Sequence, residues 1–407
     1  MSTILHKYFI PPPTIPSQTG PEGVRYDFND GARVLLPEGK WHVRLLDADS
    51  GNTLFSCDTD SGWVTSNKKY YVRFQIQVFH QGKEVPFIDE TLDLRDKPVV
   101  ISFPSGTLGD LMGWFPYAER FLLQHQCRLE CVMGQEIIDL LAPQYPDILF
   151  STDDTLRTTS PYATYRVGLY FQGDTDHQPV DFRQVGFHRS AGWILGTDPR
   201  ESPPRLNLSA PRIIEEPYVC IATQSTCQAK YWNNGTGWSE VVAHLKTLGY
   251  RVLCIDLHAH HGDGFVWNHI PWGAEDFTGR LPLQERVDLL HHASFFIGLP
   301  SGLSWLAWAC GIPVVLISGF SLPISEFYTP WRVFNSHGCN GCWDDTNLNF
   351  DHQDFFWCPR HKGTPRQYEC TRLITGRQVN GVINRLHSTF TENDRNRQKD
   401  VLIRDFL

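Results

Sequence analysis

The sequence lacks an apolar run long enough to span a membrane, which takes about 18 residues. Its longest candidate, residues 305–317, is interrupted by Gly311 and Pro313. Residues 1–10 lack the apolar core and the small-residue cleavage site of a secretory signal. Basic residues are also in the minority, with 36 Lys and Arg against 45 Asp and Glu among 407 residues. We therefore expect a cytoplasmic protein that binds neither a membrane nor nucleic acid.

Cysteine is the residue type that most needs an explanation, because a cytoplasmic chain keeps its thiols reduced. Cys339 and Cys342 enclose an Asn-Gly turn, and Cys358 and Cys370 follow. Four thiolates on two arms suit a tetrahedral Zn²⁺ or a single iron, so we predict one structural metal per chain. Disulfides and an iron–sulfur cluster are the alternatives. The other cysteines are expected to be small core residues, namely Cys57, Cys127, Cys131, Cys220, Cys227, Cys254 and Cys310.

The N-terminal quarter of the chain has the pattern of short β-strands. Residues 40–46 and 70–79 alternate apolar and polar side chains, and turn clusters separate such runs between residues 22 and 96. Closely spaced short strands are typical of a small β-barrel or sandwich. We expect this module to serve packing or assembly.

From residue 99 onward, buried-type strands alternate with helices, which is typical of a parallel sheet. One such series covers residues 99–150, and a second covers 218–317. Between them, residues 152–215 resemble a linker with a hairpin at 165–171. Two Rossmann-like halves would place a ligand at the carboxyl ends of their strands, in a cleft between the halves. The predicted domains are an arm with a β-module (1–97), two Rossmann-like halves (98–215 and 216–335), a four-cysteine metal finger (336–375) and a helical tail (376–407).

The first candidate site lies where strand 99–103 turns into a helix. Thr107, Leu108 and Gly109 lead into Asp110, and small residues here allow a ligand to approach the backbone. Asp110 is our candidate general base. The alternative is that its carboxylate only stabilises the first turn of the helix through the helix dipole.

The second and third candidate sites follow strands of the second series. Ser225 and Lys230 follow the first strand, and Lys230 could place a compact positive charge on a diphosphate. The alternative for Lys230 is a surface lysine beside a core tryptophan. The apolar helix that begins at residue 301 has a small polar start that suits an anion, although ordinary helix capping would look similar. Its candidate binding residues are Ser301, Gly302, Leu303 and Ser304.

A histidine cluster offers a different chemistry. His258 and His260 follow the strand at 251–256, as metal ligands of a hydrolase would. No accompanying pattern of carboxylates and histidines is present elsewhere in the sequence, so loop histidines are the simpler interpretation.

Over about residues 99–320, the chain resembles the bacterial heptosyltransferases of GT-B fold, because the three candidate sites occur in the same order along the sequence. The N-terminal module and the cysteine insert resemble the autotransporter heptosyltransferases in particular. Three positions depart from the lipopolysaccharide-type pattern. Pro300 and Trp305 stand where an Asp and a His are usual, and Asn233 stands where a Pro often follows the Trp.

This resemblance implies an inverting glycosyltransferase that moves heptose from ADP-heptose to Ser or Thr of an adhesin passenger domain. It implies that Asp110 is the general base, that the residues named at the three sites bind the donor, and that no metal takes part in catalysis. It further implies iron in the cysteine finger and a large ring-like homo-oligomer, a dodecamer. The alternatives are a metal-dependent hydrolase using His258 and His260, and a non-enzymatic metal-finger binding protein.

Overall fold

The computed structural model describes residues 10–104, 106–171 and 175–404, with side chains as far as residue 390. Residues 1–9 of the predicted N-terminal arm therefore lie outside the described part. The chain divides into two compact units, Met1–Leu206 and Asn207–Leu407. No helix of the described part is long and apolar enough to cross a membrane.

The first unit is built around a mixed sheet and a smaller antiparallel sheet. Its strands are β1 (Gln18–Thr19), β2 (Arg25–Asn29), β3 (Arg33–Leu36), β4 (Trp41–Asp47), β5 (Thr53–Thr59), β6 (Gly62–Thr65), β7 (Phe74–His80), β8 (Ile88–Thr91), β9 (Pro98–Ser102), β10 (Arg128–Val132), β11 (Leu149–Ser151) and β12 (Ala163–Arg166). Its helices are α1 (Leu108–His125), α2 (Gln135–Leu141), α3 (Phe182–Val185) and α4 (Phe187–Leu195). The central strand β9 is almost wholly buried, as a strand covered on both faces should be.

The mixed sheet has the order β11-β10-β9-β12-β2-β3-β6, with β1 paired to β2. Strand β12 runs parallel to both β9 and β2, and its Ala163 lies opposite Phe28. The alternating run that predicted a hairpin at 165–171 thus contributes to a parallel strand of the main sheet.

This pairing also revises the prediction of a separate N-terminal β-module. Strands β2, β3 and β6 belong to the same sheet as β9, whereas β5-β4-β7-β8 form an antiparallel sheet of their own. A buried ion pair joins β2 to β3, with Arg33 Nη2 2.7 Å from Asp27 Oδ2. The predicted boundary at residue 97 therefore falls between hydrogen-bonded parts of one sheet.

The second unit contains a fully parallel sheet of order β17-β14-β13-β18-β19-β20, together with a hairpin of β15 and β16. Its strands are β13 (Tyr218–Ile221), β14 (Arg251–Cys254), β15 (His260–Asp263), β16 (Val266–His269), β17 (Glu275–Asp276), β18 (Phe295–Gly298), β19 (Val314–Ser318) and β20 (Arg332–Phe334). Its helices are α5 (Gly237–Thr247), α6 (Leu283–His291), α7 (Gly302–Ala309), α8 (Glu369–Arg372) and α9 (Gly376–Arg404).

The core of the second unit explains why its C-terminal helix is ordered against the sheet. Apolar residues of β13, β18 and β19 pack with Val241 and Leu245 of α5 and with Val379 and Ile383 of α9. The predicted helical tail is thus the helix α9, whose apolar stripe covers one face of the sheet. Because β13, β18 and β19 are neighbouring parallel strands, the loops after them begin at one common edge.

Candidate functional site

The start of α1 holds the candidate general base, Asp110. Its Oδ2 accepts hydrogen bonds from the main-chain N–H and the hydroxyl of Thr107, at 2.8 and 2.7 Å. Leu108 opens the helix and Gly109 is buried. The carboxylate therefore takes part in the N-terminal cap of α1, and the same contacts hold it in a fixed orientation.

The start of α7 combines features that suit an anion. Ser301 Oγ is buried and has no hydrogen-bond partner among the described residues. In the same described part, the main-chain N–H groups of Gly302 and Leu303 have no protein acceptor, as is usual in the first turn of a helix. One hydroxyl and two amides at the positive end of a largely buried helix form a cradle for a phosphate group.

Ser304 was predicted to bind the donor together with Ser301, Gly302 and Leu303, but its side chain forms a hydrogen bond inside the protein. Its hydroxyl is fully buried and donates to the Leu299 carbonyl at 2.5 Å. Its main-chain N–H donates to the Ser301 carbonyl at 3.1 Å. A Cβ on Gly298 would come within 2.7 Å of Ser304 Oγ, so only glycine at 298 allows α7 to pack this closely on the end of β18.

The loop after β13 is held by a buried carboxylate that sequence reasoning did not single out. Asp256 is 1% exposed, and it accepts hydrogen bonds from the N–H and hydroxyl of Thr223 at 2.8 and 3.0 Å. Burial raises the pKa of Asp256, and the hydrogen bonds from Thr223 oppose that rise. The partly exposed Ser225 follows on this loop, and its main chain contacts the Tyr231 hydroxyl. An acidic residue at the end of a buried strand was the available signal for Asp256.

Lys230 ends a short turn of 3₁₀-helix in the same loop. Its Nζ lies over the rings of Phe320, Trp343 and Phe350, at 5.5, 5.8 and 5.7 Å from their centroids. Phe320 follows β19, whereas Trp343 and Phe350 belong to the cysteine-bearing segment. Sequence reasoning missed these aromatic side chains, although aromatic residues are dense in that segment.

The four candidate metal ligands are free thiols, and they lie close enough to influence one another electrostatically. Burial raises the pKa of Cys342 to about 12, with the neighbouring Cys339 and Cys358 adding to the rise and the positive charge of Arg360 opposing it. Burial and the charges of the other three cysteines raise the pKa of Cys370 to about 12. Among the described residues, no group of three or more His, Cys, Asp or Glu is already arranged to hold a metal ion. The four thiols are chemically suited to bind a metal as thiolates, although in the described residues they are not arranged in the geometry of a metal site.

The histidine cluster lies at the β15–β16 hairpin. The rings of His258 and His261 stack with centroids 6.1 Å apart, and His261 Nδ1 is 2.7 Å from the Tyr231 hydroxyl. Burial and the neighbouring His258 lower the pKa of His261. His260 lies beside Trp267 and His269. As for the cysteines, no metal-binding group is arranged here within the described ranges, and nothing favours the hydrolase alternative.

Comparison with known proteins gives these sites a context. Residues 20–82 match the model of the N-terminal domain of glycosyltransferase TibC, and residues 189–343 match glycosyltransferase family 9 (heptosyltransferase). The chain is 79% identical over 392 residues to the autotransporter heptosyltransferase TibC of Escherichia coli O78:H11, covering 96% of this chain and 97% of that protein. This chain belongs to the autotransporter heptosyltransferase family.

Solved structures of heptosyltransferases have the same fold as this chain. One described as the dodecameric iron-containing heptosyltransferase TibC in complex with ADP-D-beta-D-heptose is 80% identical, with a TM-score of 0.92, and covers 94% of this chain and 100% of that one. E. coli ADP-heptose lipopolysaccharide heptosyltransferase II is 14% identical, with a TM-score of 0.51, over 72% of this chain and 99% of that one, and it shows the fold alone. The predicted family, the glycosyltransferase activity and the α/β fold of GT-B type are confirmed.

Proposed function

We propose that this heptosyltransferase transfers heptose from ADP-heptose to Ser or Thr hydroxyls of an autotransporter adhesin passenger domain in the cytoplasm. The observation that carries the donor assignment is the start of α7, where the Ser301 hydroxyl and the amides of Gly302 and Leu303 lack protein partners in the described part of the chain. A diphosphate is the part of the donor that such a cradle recognises. The donor bound to the related TibC, ADP-D-beta-D-heptose, contains one.

The proposed reaction is a single displacement with inversion. The acceptor oxygen forms a bond to the anomeric carbon while the bond from that carbon to the diphosphate oxygen breaks, and ADP leaves with the electron pair. Asp110 takes the acceptor proton, a role that its fixed orientation against Thr107 supports. Lys230 and the α7 amides stabilise the negative charge that grows on the leaving diphosphate.

The test of the base is Asp110→Asn rather than Asp110→Ala. Because Asp110 caps α1 through Thr107, alanine would also cost helix stability of about 1 kcal/mol, whereas the Asn side-chain oxygen can still accept those hydrogen bonds. We expect Asp110→Asn to lose about 10²- to 10⁴-fold in kcat with ADP affinity nearly unchanged. The assay is intact-mass spectrometry of a passenger fragment incubated with ADP-heptose. Transfer by the variant within about threefold of wild type would remove Asp110 as the base.

For the cysteine finger, we propose that Cys339, Cys342, Cys358 and Cys370 hold one iron per chain, with zinc as the alternative. Such an ion would have a structural role, joining the arm at residues 339–342 to the arm at 358–370. The related TibC is described as iron-containing and dodecameric. We expect about one metal per chain by elemental analysis, its loss in Cys358→Ser, and a particle near 560 kDa, twelve times 46.7 kDa, by light scattering. A metal content unchanged in Cys358→Ser would exclude this ligand set.

A further inference from the structure

The ammonium group of Lys230 is held by aromatic rings rather than by a carboxylate. Three ring centroids lie 5.5 to 5.8 Å from Nζ, within the range in which a cation is attracted to an aromatic face. Among the described residues, Lys230 forms no ion pair. A carboxylate would compete with an incoming phosphate for the N–H groups, whereas aromatic faces stabilise the positive charge and leave those groups to a ligand.

The three rings contact one another and form a cluster beside the Lys230 ammonium, here called the aromatic cage (Phe320, Trp343 and Phe350). Their centroids are 5.4 to 5.6 Å apart. Phe320 is 3% exposed, and the buried Trp357 packs behind Phe320 and Phe350 at 5.7 and 5.0 Å. Packing against Trp357 therefore helps to fix the positions of the Phe320 and Phe350 rings.

Main-chain hydrogen bonds hold the cage to the parallel sheet. The N–H of Trp343 donates to the Phe320 carbonyl at 3.1 Å, and that of Gly341 donates to the Gly319 carbonyl at 2.9 Å. Gly319 and Phe320 directly follow β19, which is separated from β13 in the sheet by β18 alone. The segment that carries Cys339 and Cys342 is thereby attached to the edge from which the Lys230 and Ser301 loops begin.

We propose that Phe320, Trp343 and Phe350 are positioning residues for the donor: they fix the Lys230 ammonium for contact with the diphosphate. The cysteine-bearing segment is then part of the nucleotide-binding apparatus through Trp343 and Phe350. This inference rests on the proposed function, in which Lys230 binds the donor diphosphate.

A double-mutant cycle on the full-length protein tests the cage, with ADP affinity measured by calorimetry. Trp343→Leu should weaken ADP binding about 3- to 10-fold, since it removes one cation–aromatic contact, and Trp343→Phe should keep it within about twofold. Phe350→Leu, the second test variant, should resemble Trp343→Leu. In a Lys230→Met background, Trp343→Leu should change ADP affinity less than about 1.5-fold, because the cage then has no cation to position.

The matched control is Phe356→Leu in the same segment, since Phe356 packs against Phe355 and not against Lys230. It should leave ADP affinity unchanged. If Trp343→Leu weakens ADP binding equally with and without Lys230, the cage is merely structural and the inference is wrong. If Lys230→Met itself leaves ADP affinity unchanged, Lys230 does not bind the donor, and that part of the proposed function fails instead. If Lys230→Met weakens binding while both leucine variants bind normally, only the cage inference is overturned.

Discussion

Two serines three residues apart at the start of α7 should respond in opposite ways to the same substitution. Ser301 Oγ is buried without a partner in the described part of the chain, whereas Ser304 Oγ donates to the Leu299 carbonyl. Replacing either by alanine removes one oxygen atom. Ser301→Ala should therefore affect ligand binding, and Ser304→Ala should affect folding.

The magnitudes follow from the hydrogen bonds involved. A hydrogen bond from a hydroxyl to a charged phosphate contributes about 1.5 kcal/mol, so Ser301→Ala should raise the Kd for ADP roughly tenfold. Its thermal stability should stay the same or rise, because a buried hydroxyl without a partner is unfavourable in the free protein. Ser304→Ala should lose about 1 kcal/mol, or about 2–4 °C in Tm for a unit of this size. The loss stays small because the Leu299 carbonyl still accepts from the Ser301 N–H at 2.7 Å.

Calorimetry with ADP and thermal unfolding without ligand separate the two effects. The Ser304→Ala variant should bind ADP within about twofold of wild type. If both variants bind ADP equally well, the Ser301 hydroxyl does not face the diphosphate. If Ser304→Ala weakens binding as much as Ser301→Ala, the division of roles between the two side chains is wrong.

Two further predictions concern stability. Gly298→Ala should lower the free energy of unfolding by about 1–3 kcal/mol, because the added Cβ would lie 2.4 Å from a Phe296 ring atom and 2.7 Å from Ser304 Oγ. The control is Gly235→Ala, where an added Cβ would have no atom within 4 Å. Equal Tm values for the two variants would contradict the packing argument. Burial lowers the pKa of His125 to about 4, so the unfolded chain takes up this proton near pH 6.5 before the folded one does. Stability should therefore fall between about pH 6.5 and 4, by less than about 1.4 kcal/mol per pH unit because the partly exposed ring is also screened by solvent. His125→Gln should flatten that fall when unfolding is measured against pH.

Much of the α/β architecture could be predicted from sequence because its central strands are continuous apolar runs. The run at 99–103 overlaps β9 except for its first residue, Pro98, and the run at 295–298 coincides with β18; both strands are buried almost throughout. Pairing partners could not be predicted in the same way. Nothing in the local pattern of residues 25–29 shows that they lie beside 163–166, because apolar periodicity reports one segment at a time.

The candidate site shows the same division. Sequence reasoning selected Lys230 and the start of α7 by residue type and by position after a strand. It could not separate Ser301 from Ser304, because the direction of each hydroxyl depends on how closely α7 packs on β18 at Gly298. It also could not find the aromatic cage, whose Trp343 meets Lys230 only in the folded chain.

The parallel pairing of β2 with β12 has a consequence for how the first unit folds. The sheet remains incomplete until residues near the N-terminus meet a strand formed much later in the chain, a non-local contact that slows folding. A version lacking residues 1–97 would leave the β12 backbone with an open hydrogen-bonding edge, a template for pairing between chains. The N-terminal strands thus cover that edge by pairing with β12. Removing them should produce aggregation rather than a smaller enzyme.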